Sequence, residues 1–157
     1  FMMLPLYPTF PNGLNNLQQL RVLDLHANQL WAETGDVLST LRNVERVDFS
    51  LNRFFSGLFL TVENVSGLAN TVHFLNLSHN NLNGRFFTNS TIALFHNLQV
   101  LDLSGNSITR ELPSFSSLLV LRVLRLPQNQ LFGSLPEKLL QTSMPLEEFD
   151  LSFNGFI

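Results

Sequence analysis

Residues 98–108 read LQVLDLSGNSI and follow the pattern L-x-x-L-x-L-x-x-N-x-L. The pattern returns at 20–30, 44–54, 72–82, 121–131 and 146–156, with Val, Ile or Phe at some of the Leu positions. The asparagine is present in every copy, at Asn28, Asn52, Asn80, Asn106, Asn129 and Asn154. Successive asparagines are 23 to 28 residues apart. A repeat of this period indicates a solenoid, in which each copy forms one coil.

Each recurring position of the repeated phrase has a predicted structural role in the coil. The L-x-L alternation predicts a short strand with one buried face, and stacked coils align such strands into a parallel sheet. The asparagine amide has donors and an acceptor for backbone groups of the turn that follows, so we expect a ladder of six amides. Loss of one amide is expected to cost about 1–3 kcal/mol. Apolar residues between the phrases recur every third residue, which predicts 3₁₀ or short helical turns on the convex side. These residues include Leu14, Leu17, Leu20, Leu38, Leu41, Ile92, Phe95, Phe115 and Leu118. We therefore expect an α/β solenoid, a right-handed superhelix with a concave parallel β-sheet.

Composition excludes several functional classes. The chain has 33 Leu and 17 Asn in 157 residues, but no Cys, which excludes disulfide scaffolds and thiol chemistry within it. A net charge of −3 and a single Lys, Lys138, argue against nucleic-acid binding. No apolar run approaches the ~18–20 residues that span a bilayer. The chain starts at Phe1 without a charged region, so we expect a signal peptide to be absent or already removed.

Several copies extend the phrase as L-x-G-x-hydrophobic-Pro, most completely in LFGSLP at 131–136. Together with LDLSGN at 101–106 and LNLSHN at 75–80, this extension resembles the plant-specific class of leucine-rich repeats. Its commonest members are ectodomains of plant receptor-like kinases. LDLHAN at 23–28 and HFLNLSHN at 73–80 resemble the subgroup with the sucrose-induced receptor kinase and the guard-cell hydrogen-peroxide-resistance receptor. The resemblance implies that residues 1–157 are one array of about six repeats, whose usual cysteine-bearing caps are missing.

The register also predicts a recognition surface. Side chains between the buried leucines point out of the sheet, and these positions hold seven acidic and four basic residues. We expect a mildly acidic face for a peptide or protein ligand. Asp within L-x-L and Ser after it are the usual letters of the class, so Asp24, Asp48, Asp102 and Asp150 need not indicate a ligand, and a structural role is favoured for them. Phe74 and Arg125 depart from those letters and are the preferred ligand-binding candidates. The wider set of candidates is Phe74, Arg125, Leu51, Asp48, Arg46, His73 and Phe153.

Three Asn-x-Ser/Thr sequons begin at Asn64, Asn76 and Asn89, and they predict N-glycosylation if the chain is secreted. Asn64 and Asn89 lie in the most irregular segments and are favoured. No catalytic site, metal site or cofactor is predicted. Asp24, His26 and Ser50 suggest a triad, but neighbours on a flat exposed sheet form neither a pocket nor an oxyanion hole.

The resemblance implies an extracellular recognition fragment of a receptor-like kinase at the plasma membrane, in the apoplast. Its expected partners are a peptide or protein ligand, a co-receptor and N-linked glycans. A kinase domain and a membrane segment would lie in the missing C-terminal part. One alternative is a secreted inhibitor of microbial cell-wall enzymes that resembles polygalacturonase-inhibiting proteins. Another is a structural array without a small ligand.

Overall fold

A computed structural model describes residues 10–57, 60–135, 137–140 and 143–157, and it confirms the leucine-rich repeat solenoid. Six three-residue strands form one parallel sheet in the order β1-β2-β3-β5-β7-β9. Their bounds are β1 Val22–Asp24, β2 Arg46–Asp48, β3 Phe74–Asn76, β5 Val100–Asp102, β7 Val123–Arg125 and β9 Glu148–Asp150. Equivalent residues of successive phrases pair directly, as in Leu75↔Leu101 and Leu101↔Leu124. The predicted register of the phrase is therefore the register of the sheet.

The core is a stack of apolar layers between the strands and the opposite side of each coil. The middle strands bury their central residues completely, and Val47, Leu75, Leu101 and Leu124 are all 0% exposed. The outermost described coils are only half-covered, and Phe149 is partly exposed. Each layer has a neighbour on both sides only in the interior of the array. Stability therefore depends on contacts between adjacent coils.

The predicted asparagine ladder joins each coil to the one before it. The Nδ2 group of Asn106 donates to the carbonyls of Leu103 (3.0 Å) and Ser104 (3.3 Å) in its own coil and to that of Leu77 (3.0 Å) in the preceding coil. Its Oδ1 accepts the backbone N–H of Leu82 at 3.0 Å. The same four contacts recur at the other inner rungs and at the last one, namely Asn52, Asn80, Asn129 and Asn154. Asn28 is exposed, and its Nδ2 group donates to the carbonyls of Leu25 and His26 in its own coil.

A second parallel sheet, which the sequence did not predict, flanks the first. Its strands are β4 Asn83–Gly84, β6 Ser107–Arg110, β8 Gln130–Gly133 and β10 Gly155–Phe156. These strands are staggered by two residues relative to the repeat, since Gly84 pairs with Ile108 and Arg110 with Leu131. Arg110 stands in the place of Gly84 and Gly133 in their coils, with φ of 88°. A side chain in this left-handed region costs about 1–2 kcal/mol relative to glycine.

The opposite side of the coils carries short helices, as predicted. They are the 3₁₀ turn Leu14–Asn16, α1 Thr34–Ser39, α2 Val62–Val65, α3 Asn89–Ile92 and α4 Glu137–Leu140. Thr61 caps α2 and Thr88 caps α3, each through a reciprocal pair of hydrogen bonds. No helix in the described part of the chain is long and apolar enough to cross a membrane.

One predicted core residue on this side is not buried. Leu17 is 54% exposed, whereas the equivalent residues Leu41 and Leu118 are 1% and 0% exposed. The inward-pointing prediction is therefore wrong for Leu17. In the described part of the chain, its coil has a neighbour on one side only, so half of the expected packing is absent.

Candidate functional site: the concave face

The candidate site is the outward surface of the six-stranded sheet, here called the concave face. The first and third residues of each strand point to it, and the central residue is buried in every strand except β9, where it is half-buried. The face also includes the residue before each strand and the second and third residues after it. Its side chains therefore form rows that cross the strands at the ~4.8 Å spacing of a sheet.

The acidic row along the end of the strands has a structural role. The Oδ1 atom of Asp48 accepts hydrogen bonds from the Oγ of Ser50 (2.6 Å) and its backbone N–H (3.1 Å). Asp102 accepts the same pair from Ser104, and Asp150 accepts the backbone N–H of Ser152 at 2.9 Å. The bond from the Ser152 backbone is the main cause that lowers the pKa of Asp150. One carboxylate oxygen of Asp48 is thus engaged within the turn, which supports the structural interpretation of this row.

Asn76 and Arg125 are the two members of that row that are not acidic, and Arg125 bridges two neighbouring coils. Its Nε and Nη2 atoms donate to the two carboxylate oxygens of Glu148 at 2.6 and 2.8 Å. Its Nη1 lies 3.5 Å from the Oδ2 of Asp102 in the preceding coil. The hydrogen bond with Glu148 raises the pKa of Arg125 and lowers that of Glu148. A ligand acid that used this guanidinium would therefore compete with Glu148.

Arg46 and Phe74, both predicted candidates, are brought together at the middle of the face. They are direct partners on adjacent strands, and the Arg46 Cζ lies 3.6 Å from the centroid of the Phe74 ring. The other three arginines of the face, Arg21, Arg122 and Arg125, each form an ion pair with a glutamate. No carboxylate lies within ion-pair distance of Arg46 in the described part of the chain. Its guanidinium is therefore held in place by an aromatic ring and keeps its N–H groups for other acceptors.

The other apolar candidates, Leu51 and Phe153, do not lie in the same row of the face as Phe74. Leu51 (52% exposed) and Phe153 (79% exposed) occupy equivalent positions in the turn after the strand, where both have a φ of 56°. Their coils are four apart, so roughly 19 Å of sheet separates them. The equivalent residues Ala27, His79, Gly105 and Gln128 have the same left-handed conformation. His73 is exposed on the face, next to Phe74 in sequence.

A cluster that the sequence did not predict lies near the start of the sheet. One side-chain nitrogen or oxygen atom from each of Asp24, His26 and Asp48 lies within 4.8 Å of the other two, a spacing that could hold a metal ion. His26 Nδ1 lies 2.5 Å from Asp24 Oδ1. This hydrogen bond raises the pKa of His26 and lowers that of Asp24. The Oγ of Ser50 donates to Asp48 and not to His26, so the triad suggested by the sequence is not assembled.

The three sequons occupy different surroundings. Asn89 is exposed at the start of α3, and its Oδ1 accepts the Ser114 backbone N–H at 2.9 Å, which leaves Nδ2 available. Asn64 is half-buried, and its Oδ1 accepts hydrogen bonds from the backbone N–H and the hydroxyl group of Thr61. Asn76 is half-buried on the concave face between Asp48 and Asp102 of the adjacent strands.

Comparison with known proteins gives one family model and a consistent set of relatives. The model described as Leucine Rich Repeat matches residues 97–118. A probable inactive receptor kinase of Arabidopsis thaliana is 54% identical over 103 residues, which are 66% of this chain and 10% of the relative. Receptor-like protein 39 of the same plant is 36% identical over 148 residues, or 93% of this chain and 13% of the relative. The chain thus spans about a tenth of the length of these curated relatives.

Solved structures show the same architecture. A TDR receptor matches with a TM-score of 0.80 and 26% identity, over 94% of this chain and 25% of that chain. The Arabidopsis receptor kinase HAESA, solved with the peptide hormone IDA and the co-receptor SERK1, matches with a TM-score of 0.80 and 28% identity. That match covers 94% of this chain and 24% of HAESA.

Proposed function

Because this chain is a leucine-rich repeat array similar to plant receptor kinases and receptor-like proteins, we propose that it is part of an extracellular recognition domain. Its partner is a peptide or protein ligand, with a co-receptor as a second partner. Signalling occurs at the plasma membrane, with the array in the apoplast. The array itself performs no catalysis, and any kinase domain belongs to the rest of the receptor. Membership of the sucrose-induced receptor kinase subgroup remains a prediction.

The observation that carries this proposal is an apolar stripe across the middle of the concave face. Phe74, Val100 and Val123 are direct partners on three consecutive strands, and all three are only half-buried. The stripe is roughly 10 Å long at the usual strand spacing. Arg46 lies at one end, stacked on Phe74, and Arg125 with Glu148 lies at the other. An apolar ligand side chain fits over the stripe, and Arg46 offers N–H groups to an oxygen of the same ligand.

Phe74→Ala is expected to weaken ligand binding at least about tenfold, which corresponds to ~1.4 kcal/mol. The substitution removes both the largest apolar surface of the stripe and the ring that orients Arg46. Peptides selected by display on the immobilised wild-type chain provide ligands, and their dissociation constants are then compared between variants.

Phe132→Ala is the matched control, because Phe132 is 48% exposed on the second sheet and outside the concave face. It should leave the dissociation constants of the selected peptides unchanged. Selected peptides that bind Phe74→Ala and Arg46→Ala as tightly as the wild type would show that the stripe is not the recognition surface. Unchanged circular dichroism of each variant verifies that the fold is kept.

The extracellular location is supported by the sequons, and Asn89 is exposed whereas Asn64 and Asn76 are half-buried. We expect a glycan at Asn89 when the chain is secreted from plant cells behind a leader peptide. Asn76 should stay unmodified, because a glycan there would lie between the side chains of Asp48 and Asp102 on the adjacent strands and would cover the apolar stripe. Mass spectrometry of peptides, with Asn89→Gln as the control, measures the occupancy of each site. Full occupancy at Asn76 would argue against ligand binding on this face.

A further inference from the structure

A cavity of about 310 Å³ opens on the flank of the first described coils, downstream of the Asn28 turn. Trp31 and Phe55 form one wall, with ring centroids 4.8 Å apart and an interplanar angle of 37°. Phe10 contributes a third aromatic ring, while Val37 of α1 and Thr40, the residue that follows α1, also line the cavity. None of the concave-face residues lines this cavity.

Two carboxylates, Glu33 and Asp36, also line the cavity, and no basic side chain does so among its described lining residues. In the described part of the chain, neither carboxylate has an ion-pair or side-chain hydrogen-bond partner. The Glu33 carboxylate lies so close to Gly57 that a Cβ atom at this position would overlap it. Gly57 has a φ of 65°, so its backbone also favours glycine. Among the described residues, the cavity thus combines aromatic rings with two carboxylates and no basic side chain.

From this combination we infer that the cavity binds an arginine side chain of a peptide or protein partner. A guanidinium stacks on aromatic faces and donates hydrogen bonds to carboxylates in the same plane. Trp31 and Phe55 supply the faces, and Glu33 and Asp36 supply the acceptors. The site lies apart from the concave face, so it goes beyond the ligand surface proposed above.

Trp31 is the sole tryptophan of the chain, so its fluorescence reports directly on this cavity. The probe is the capped tripeptide acetyl-Gly-Arg-Gly-amide, titrated into the whole chain at low salt. We expect a saturable change of the Trp31 emission. The citrulline analogue has the same shape without the charge, and it should bind at least about tenfold more weakly, as expected for the loss of ~1.4 kcal/mol.

The double variant Glu33→Gln/Asp36→Asn keeps the shape of the cavity and removes its charge. It should weaken binding of the arginine peptide at least about tenfold, by the same conversion. Glu63→Gln is the matched control, since Glu63 is an exposed carboxylate on α2 outside the cavity, and it should bind as the wild type does. The inference is overturned if the Trp31 emission does not saturate, or if the citrulline peptide or the double variant gives the wild-type dissociation constant. These results are independent of the Phe74→Ala test, because that test uses peptides selected by display and not the arginine tripeptide.

Discussion

Asn106→Ala is expected to destabilise the chain by about 3 kcal/mol, the upper end of what an unpaired buried group costs. The size of the cost depends on which backbone groups keep another hydrogen-bond partner after the substitution. The carbonyls of Leu77 and Leu103 keep a second amide donor, from Asn80 and Asn129 respectively. The backbone N–H of Leu82 has the Asn106 Oδ1 as its acceptor and is left buried without one. That loss adds to the removal of the three hydrogen bonds that the Asn106 Nδ2 group donates, and to the volume of the missing amide.

Denaturant unfolding of the two proteins measures the difference in free energy, and amide hydrogen exchange locates it. The Leu82 amide should exchange faster in Asn106→Ala than expected from the global loss alone. Asn28→Ala is the matched control, because Asn28 is exposed and bonds the carbonyls of Leu25 and His26 in its own coil. It should cost less than about 1 kcal/mol, as surface substitutions usually do. Equal costs at the two positions would contradict the coupling of coils through the ladder.

The sequence predicts the parallel sheet and the ladder because one phrase specifies both. The alternation of apolar residues sets which side of each strand is buried, and the fixed asparagine sets where each turn begins. Since every phrase has the same spacing, the register between strands follows without further information. The pairing of Arg125 with Asp102 and Glu148 is compatible with that register, although the repeated phrase alone does not predict it.

Other features have no comparable signal. The strands of the second sheet have two to four residues, too few for a period of two to be recognised. The left-handed turn after each strand is occupied by Ala27, Leu51 and Phe153 as readily as by Gly105. Residue type therefore does not reveal that conformation. The cavity beside Trp31 depends on the paths of two irregular segments, which repeat spacing does not determine.

The candidate site was predicted in part. Register places Arg46 beside Phe74, but only side-chain positions show that the guanidinium lies over the ring. The same holds for the Asp48 row, whose bonds to the following serine explain why acidic residues recur there. Leu51 and Phe153 were grouped with Phe74 because all three are apolar and outward. Phe153 lies three coils from Phe74, whereas Leu51 lies in the adjacent coil but in the turn that follows the strand.

Phe95→Ala is expected to cost about 3–5 kcal/mol, the usual range for a fully buried phenylalanine. Phe95 is 0% exposed, and its ring meets that of Phe87 edge-on at 5.8 Å and 86°. Phe87 in turn meets Phe86 at 4.8 Å and 70°. Removal of the ring leaves a cavity in the middle of the array, and it also removes an aromatic pair worth about 0.5–1.5 kcal/mol.

The Phe95→Leu variant tests how much of the loss in Phe95→Ala comes from the smaller side-chain volume. The equivalent residues of other coils are Leu41 and Leu118, both buried, so leucine is compatible with the backbone here. The equivalent residue of the preceding coil is the small Ala69, and we infer that the larger ring compensates for it. Leucine should therefore recover most of the loss and leave a deficit of about 1 kcal/mol, because the cost scales with the cavity that remains. Denaturant unfolding measures both variants, with Phe132→Ala on the exposed flank as the control. A Phe95→Ala cost no larger than that of Phe132→Ala would contradict the burial of this ring and the packing of the helical side against the sheet.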